Sequence, residues 1–204
     1  MKKIIISALF IAGVYYAAKE GLDLDCSSNE SYTKINYDNE RLQEKEDRFE
    51  DGFLESLEEM CGRLDMHCMG LLSVMDFETG GTFSPGIRNP RSTATGLIQF
   101  LERTANGLGT STRDLANMTQ TEQLEFVKRY FQNQQRYHPD LDYSDPAQIA
   151  LTVFYPARAS NPEQAIFGRG SSGYRSNREL DKNMDGRITG IEYSERALNR
   201  GYLE

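Results

Sequence analysis

A single glutamate, Glu78, lies where the composition of the chain suits acid–base chemistry. It ends the apolar run MGLLSVMDFE and precedes Gly80 and Gly81, which would let a polymeric substrate approach the backbone closely. Burial among apolar side chains raises the pKa of a carboxyl group, so that the group keeps a proton near neutral pH and can donate it to a leaving oxygen. Taken alone, the pattern is also typical of an exposed residue at a helix end.

A second group of residues, near the C-terminus, has the spacing of a calcium-binding loop. The stretch DKNMDGRITGIE, residues 181–192, matches D-x-[DN]-x-[DN]-G-x5-E at every position. Calcium requires several hard oxygen ligands, which this spacing supplies from side chains and from one backbone carbonyl. The predicted ligands are Asp181, Asn183, Asp185, Arg187 through its carbonyl, Thr189 directly or through water, and Glu192.

The surroundings of this calcium loop limit the role of the ion. No second loop of this kind occurs in the sequence, and the preceding SSGYRSNREL is a poor entering helix. We therefore expect a structural ion of modest affinity rather than a sensor switch. The alternative interpretation is an acidic turn ahead of the helix IEYSERALNR.

Apolar periodicity predicts the helices that must hold Glu78. Apolar residues recur at helical spacing from Phe49 to Leu64, and the next apolar run predicts a second helix that ends at Glu78. The following SPGIRNPRST is predicted to be a loop, because two prolines and a glycine prevent a continuous helix there. Helical character is expected to resume in GLIQFLERTA, residues 96–105.

Two further helices are predicted from their capping residues. Thr119 and Glu122 have the spacing of a capping box, and the helix after them should run to about Tyr137. Asp145 and Pro146 are typical of an N-cap and a first helical position, and they begin an almost wholly apolar helix that we expect in the core. Strand-like alternation of any length is missing from the sequence, so the predicted fold class is mainly α.

Three stretches of the sequence, FETGGTFSP, STATGLIQF and ALTVFYPA, resemble in order the three motifs of the soluble lytic transglycosylase family, within the goose-type lysozyme-like superfamily. In that family the motifs read E-S or E-T with a glycine soon after, S-x-A-x-G-L-M-Q, and A-Y-N-A. Here Thr79, Ile98 and Pro156 stand where serine, methionine and asparagine are usual. The likeness covers roughly residues 57–195 and is greatest to the phage-type and secretion-associated branch, in which an acidic calcium-like loop follows the catalytic domain.

The resemblance implies a lysozyme-like fold and a role for five residues. Glu78 would be the single catalytic acid and base, and Gln99 would line the cleft beside the scissile sugars. Tyr155 would hydrogen-bond near Glu78 to hold that residue or the substrate. Ser92 and Gly96 match positions that shape the wall of the groove. The implied enzyme is a lytic transglycosylase, which cuts the β-1,4 bond between N-acetylmuramic acid and N-acetylglucosamine of peptidoglycan and forms a 1,6-anhydro product.

Two other functions fit the same residues. A muramidase that uses water, in the manner of lysozyme, would need a second carboxylate roughly 5 to 9.5 Å from the first. Asp76 is expected on another face of the helix from Glu78, and Glu102 would serve only if folding brought it near. A peptidoglycan-binding assembly protein would keep the cleft without the chemistry. Calcium is the only cofactor that we expect.

The first residues of the chain are typical of an export segment. Two lysines precede an uncharged, mostly apolar run over residues 4–18, which fits a cleaved signal or a membrane anchor, although a full span needs roughly 20 residues. A periplasmic, membrane-anchored or virion-associated location follows from either interpretation. The expected parts of the chain are this signal or anchor in residues 1–21, a polar acidic tether in 22–48, a lysozyme-like domain in 49–170 and an EF-hand-like segment in 171–204.

Charge and cysteine content limit the partners and the cross-links. The net charge of −8 provides no field that would attract phosphate backbones, so peptidoglycan rather than nucleic acid is the expected partner. The three cysteines, Cys26, Cys61 and Cys68, allow at most one disulfide. A bridge between Cys61 and Cys68 and a pair of buried free thiols both fit the sequence. No sequence feature predicts an oligomeric state.

Overall fold

The computed structural model describes residues 30–203 of the chain, which are mainly helical as the periodicity predicted. The predicted export segment and Cys26 lie outside the described residues. Within the described part, no helix is both long enough and apolar enough to span a membrane.

Nine α-helices and two short strands make up the regular structure of residues 30–203, together with four 3-10 turns. The helices are α1 (Glu40–Glu44), α2 (Phe53–Leu64), α3 (Cys68–Thr79), α4 (Glu102–Gly107), α5 (Thr112–Leu115), α6 (Gln120–Tyr137), α7 (Pro146–Phe154), α8 (Ser172–Ser176) and α9 (Gly190–Leu198). The strands are β1 (Ala165–Gly168) and β2 (Arg187–Thr189), and the 3-10 turns are Glu30–Thr33, Glu46–Arg48, Pro156–Arg158 and Arg178–Leu180.

Helix α3 runs through the middle of the core and carries Glu78 in its last turn. Its residues are apolar on all sides, and most of them are buried, as expected for a helix surrounded by others. The His67 side chain caps the start by accepting the Gly70 N–H at 3.1 Å, and Gly80, with φ +60°, ends the helix in the left-handed conformation that glycine favours. Helix α7 crosses α3 closely, because a Cβ at Gly70 would lie only 2.8 Å from the Cβ of Pro146.

The predicted caps of α6 and α7 are confirmed. Thr119 and Glu122 form both hydrogen bonds of a capping box, and the helix ends at Tyr137. The Asp145 side chain accepts the Ala147 N–H at 2.8 Å, with Pro146 at the first helical position. Helix α7 is central, as expected, since it packs against both α3 and α9.

The predicted helix over residues 96–105 was only partly right. Helix α4 begins at Glu102, whereas the residues before it form a turn in which the backbones of Thr95 and Phe100 exchange two hydrogen bonds, 2.8 and 3.0 Å long. Positive φ angles at Gly96 (+84°) and Gln99 (+51°) are incompatible with a right-handed helix there.

Two short strands form a small antiparallel sheet that the sequence did not predict. Strands β1 and β2 pair antiparallel, with Phe167 opposite Ile188, which is fully buried. Strand β2 lies within the predicted calcium-binding stretch, residues 181–192, and pairs with β1. The loop is thereby joined to the body of the protein.

Residues 190–203 belong to the same core as helix α3. Helix α9 packs on α3 and α7, and the Ser73 hydroxyl donates to the carbonyls of Ala197 and Leu198 at 3.2 and 3.1 Å. Tyr193, Ala197 and Tyr202 are almost wholly buried. Residues 171–203 therefore pack into the same core as the rest of the described chain.

The predicted tether is also folded over the part that the structure describes. Ile35 and Leu42 are buried in the core, and the Arg41 guanidinium forms an ion pair with Asp76 at 3.2 Å. The Asn39 amide donates to the Gly201 carbonyl at 3.1 Å, which joins this segment to the C-terminus. The polar composition concealed this packing, because two well-placed apolar side chains are sufficient to attach a short segment.

Candidate active site

Glu78 receives one hydrogen bond, from a residue far away in the chain. The Tyr193 hydroxyl donates to Glu78 Oε1 at 2.6 Å, a length typical of a charge-assisted bond. Glu78 is half-buried at the end of α3, whereas Tyr193, in α9, is only 1% exposed. The carboxyl group is therefore held by a buried donor.

Aromatic packing fixes the position of Tyr193. Its ring stacks on Phe154 of α7, with centroids 3.8 Å apart and planes 7° from parallel. Phe77 of α3 meets the same ring edge to face at 5.8 Å. The three helices that form the core thus each contribute a residue to the support of Glu78.

The environment of Glu78 changes the affinity of its carboxyl group for protons. Burial raises the pKa of Glu78 from an ordinary value of 4.5 to about 7, and the hydrogen bond from Tyr193 acts in the opposite direction. The pKa of the Tyr193 hydroxyl is raised by burial and by the negative charge of Glu78, so this hydroxyl remains a donor. A carboxyl group with a pKa near 7 can both donate and accept a proton at neutral pH.

Tyr155 does not form the hydrogen bond that the family resemblance led us to expect. It is the residue that ends α7, it is 38% exposed, and its ring lies edge to face with Phe167 at 6.1 Å. Tyr193 provides the hydrogen bond to Glu78 instead. Tyr155 is exposed next to Phe154, and its other expected role, a hydrogen bond to the substrate, stays a prediction.

Gln99 lines a cavity of about 370 Å³, and neither Glu78 nor Tyr155 is among the residues that line it. The cavity is also lined by Phe154 and Pro156, which come from the third motif. The Gln99 amide donates to the Gly96 carbonyl at 3.1 Å. The second and third motifs therefore meet around one cavity, and the Phe154 ring connects it to Tyr193.

Gly96 and Ser92, the two residues that the resemblance places in the wall of the groove, differ in burial. Gly96 is buried, and a Cβ there would lie 2.2 Å from the Gln123 side-chain oxygen, which accepts the Leu97 N–H at 2.6 Å. The glycine therefore allows the buried Gln123 to pack against the turn and does not itself face the cavity. Ser92 is exposed, and its hydroxyl oxygen accepts the Ala94 N–H at 3.2 Å.

The two other carboxylates that we considered, those of Asp76 and Glu102, accept hydrogen bonds from other residues. Asp76 is fully buried and accepts hydrogen bonds from Arg41, Arg200 and Tyr202. The Thr112 hydroxyl and backbone N–H donate to Glu102, and these bonds lower the pKa of that carboxyl group. Neither group is bonded to Glu78 in the structure.

The predicted calcium ligands lie in one tightly turned loop. Three backbone N–H groups donate to side-chain oxygens and shape the loop: Gly186 to Asp181 (3.0 Å), Asp185 to Asn183 (2.9 Å) and Arg187 to Asp185 (2.7 Å). Gly186, with φ +86°, allows the turn. The acidic and amide side chains are thus oriented by the loop itself.

The last two predicted ligands, Thr189 and Glu192, begin helix α9. They form a capping box, in which Glu192 Oε2 accepts the Thr189 N–H at 2.9 Å. Glu192 Oε1 also accepts the Lys182 N–H at 3.2 Å, which closes the loop. Among residues 30–203, no three His, Cys, Asp or Glu side chains are arranged to hold a metal ion. The predicted ligands are hard oxygens, which suit Ca²⁺ chemically. Binding of the ion stays a prediction.

A cationic side chain lies beside the calcium loop. A Cβ at Gly186 would be 2.7 Å from the Arg169 Nε. The Tyr174 hydroxyl donates to Asp181 at 2.5 Å, so one carboxylate oxygen already has a protein donor. Both features oppose tight binding of a cation at this loop.

The two described cysteines are free thiols. Cys61 and Cys68 are fully buried, and burial raises the pKa of the Cys68 thiol well above its ordinary value. The sequence allowed either a disulfide between Cys61 and Cys68 or two free thiols, and the structure contains the free thiols.

No protein-family model matches this chain, and no curated protein and no solved structure matches it. The likeness to soluble lytic transglycosylases therefore depends on the three motifs alone.

Proposed function

We propose that this protein is a lytic transglycosylase that cleaves the glycan strands of peptidoglycan, with Glu78 as its single catalytic acid and base. The observation that carries the proposal is the half-buried Glu78 carboxyl group, whose pKa is raised to about 7 and which a buried tyrosine orients. The meeting of Gln99 and Phe154 at one cavity supports it, because both residues lie in the motifs of the resemblance.

The reaction needs one carboxyl group in two protonation states. Protonated Glu78 donates its proton to the oxygen that links N-acetylmuramic acid to N-acetylglucosamine, and the C1–O bond breaks. The resulting carboxylate then removes the proton from the muramoyl 6-hydroxyl, whose oxygen bonds to C1 and gives the 1,6-anhydro ring. Glu78 ends protonated and ready for another cycle, and the nucleophile is held within the substrate itself.

The surroundings of Asp76 support this reaction over one that uses two carboxylates. A retaining glycosidase places its second carboxyl group roughly 5 to 5.5 Å from the first, and an inverting one roughly 6.5 to 9.5 Å. Asp76 is the nearest acid in the sequence, but two guanidinium groups and a tyrosine hydroxyl bind it in the core. It is therefore suited to stabilising the fold rather than to activating water.

Calcium and export are part of the proposal. A Ca²⁺ ion held by Asp181, Asn183, Asp185 and Glu192, with the Arg187 carbonyl and Thr189, would neutralise the carboxylates of the loop and stabilise it. Peptidoglycan lies in the cell envelope, which agrees with the export segment predicted from residues 1–21, in a periplasmic, membrane-anchored or virion-associated protein.

Digestion of purified sacculi tests the proposed reaction. We expect muropeptides with anhydro ends, which mass spectrometry detects as one water lighter than reducing ends. Glu78→Gln should abolish their release, whereas Glu125→Gln, at an exposed ion pair with Lys128, should not. Reducing ends would overturn the transglycosylase and favour a muramidase. Binding of sacculi without any product would favour a peptidoglycan-binding assembly protein.

A further inference from the structure

We propose that the cavity lined by Gln99 and Phe154 binds a carboxylate-bearing branch of the glycan strand, and that Arg103 selects the substrate through this carboxylate. The inference rests on the proposed cleavage of peptidoglycan by Glu78, and it adds a residue that belongs to none of the three motifs. In peptidoglycan the carboxylate comes from the stem peptide or, on strands without peptides, from the lactyl group of muramic acid.

The cavity lies beside the proposed catalytic group rather than around it. Glu78 is not among the residues that line the cavity, whose volume is about 370 Å³. Phe154 lines it and stacks at 3.8 Å on the ring of Tyr193, whose hydroxyl binds Glu78. The cavity is therefore placed to hold a part of the substrate next to the bond that is cleaved.

Arg103 is the only charged residue among those that line the cavity in the described part of the chain. It is exposed, and its side chain forms no ion pair or hydrogen bond with any described residue. The neighbouring carboxylate, that of Glu102, accepts hydrogen bonds from Thr112 instead. In a protein with a net charge of −8, this guanidinium is available to an external anion, and its planar fork of donors matches a carboxylate.

Two uncharged amide side chains at the cavity are also without partners. Asn133 and Gln134, half-buried in α6, form no side-chain hydrogen bond with a described residue. By contrast, the Tyr130 hydroxyl in the buried wall donates to the Thr152 carbonyl at 2.6 Å. Free amide groups suit the hydroxyl and N-acetyl groups of a sugar, since an amide can both donate and accept hydrogen bonds.

Two large apolar side chains are exposed at the same cavity. Tyr137 is 76% exposed and Leu101 is 51% exposed, and both line it. An exposed aromatic ring beside polar groups can pack against the apolar face of a sugar ring. The cavity therefore combines several groups that suit a sugar with one group that suits an anion.

This combination favours a substrate that carries both sugar rings and a carboxylate. N-acetylglucosamine is uncharged, so chitin oligosaccharides offer nothing to Arg103. Every muramic acid residue has a lactyl carboxyl group, which is either free or joined to a peptide with carboxylates of its own. Arg103 thus distinguishes peptidoglycan strands from chitin, through a contact that is modest in strength because it is exposed to solvent.

Calorimetry on Glu78→Gln, which keeps the probes intact, tests the role of Arg103. The probes are a peptidoglycan tetrasaccharide with its stem peptides, the same tetrasaccharide after an amidase has removed them, and chitotetraose. Adding Arg103→Gln should raise the dissociation constant of the peptide-bearing probe about three- to tenfold and leave that of chitotetraose unchanged. A matching rise for the stripped probe would identify the lactyl carboxylate as the partner, and no such rise would identify the stem peptide.

Arg113→Gln is the matched control for this substitution. The Arg113 side chain is 83% exposed and does not line the cavity, so its replacement should leave the affinity for all three probes unchanged.

Salt provides a second test that needs no substitution at Arg103. Raising sodium chloride from about 0.05 M to about 0.5 M should weaken binding of the peptide-bearing probe, because it screens an attraction between opposite charges. Repulsion between this probe and the net charge of −8 would give the opposite trend. Chitotetraose binding should not respond.

The outcomes separate this inference from the proposed function. Unchanged affinities in Arg103→Gln, an equal loss for chitotetraose, binding of the peptide-bearing probe that salt strengthens, or no binding of any probe would each overturn the inference. Release of anhydro muropeptides by the wild type would then still support the proposed function. A selective effect of Arg103→Gln in a protein that releases no muropeptides would overturn the proposed function alone.

Discussion

Replacement of Glu78 by glutamine should make the protein more stable, and the gain should depend on pH. Desolvation of the carboxyl group places its pKa at about 7 in the folded protein, compared with an ordinary value of 4.5. Between these two pH values the folded state binds the proton more strongly than the unfolded state. The wild-type protein therefore loses stability as the pH rises from 4.5 to 7, in the direction expected for a buried acid.

The size of the effect follows from the two pKa values. Each pKa unit of difference corresponds to about 1.4 kcal/mol, so ionised Glu78 should cost the folded state about 3 kcal/mol at pH 8 and less than about 1 kcal/mol at pH 5. Glutamine has nearly the same shape, carries no charge at either pH and can still accept a hydrogen bond from Tyr193.

Urea denaturation of the wild type and Glu78→Gln at pH 5 and pH 8 measures the effect. The variant's advantage should grow by about 2 kcal/mol between the two pH values. Every other titratable group is common to both proteins and cancels in the comparison. An advantage of equal size at both pH values would show that Glu78 is not desolvated in the folded state, and the argument for a shared acid and base role would fail.

Three further predictions concern stability. Asp76→Asn should lower the free energy of unfolding by about 3 kcal/mol in urea denaturation, because two guanidinium groups lose a buried partner; a loss below about 1 kcal/mol would contradict this. Gly96→Ala should cost about 2 to 4 kcal/mol in the same assay, since the positive φ and the contact with Gln123 exclude a methyl group; no loss would show that Gln123 can move. Calcium at about 100 times its dissociation constant should raise the melting temperature by about 5 to 10 °C in scanning calorimetry, and an unchanged melting temperature would exclude the ion.

The buried cluster around Asp76 explains why the ends of the described chain belong to the core. Arg41 comes from the predicted tether, Asp76 from α3, and Arg200 and Tyr202 from the residues after α9. An unpaired carboxylate in the core would lower the stability of the folded protein, so the residues that pair with Asp76 must stay in place. The same contacts hold α9 against α3, which keeps Tyr193 beside Glu78.

Features that depend on neighbours in the sequence could be predicted from the sequence alone. The caps of α6 and α7 and the helix end at Glu78 were predicted correctly, because caps and periodicity involve residues only a few positions apart. The spacing of the calcium loop likewise matches the turn that the structure contains, although the ion itself stays a prediction. Glu78 was also recognised as a candidate acid from the apolar run before it.

Tertiary structure alone decided which residues support Glu78. Tyr193 lies 115 positions further along the chain and has no motif of its own, so only the packing of α9 on α3 could bring the two together. The resemblance led us to expect Tyr155 near Glu78, whereas Tyr193 forms that hydrogen bond in the structure; a hydrogen bond from Tyr155 to the substrate stays a prediction. The raised pKa of Glu78 also arises from burial by distant segments. Local sequence determines where a helix begins and ends, but desolvation and hydrogen-bond partners depend on the surfaces that the whole fold brings together.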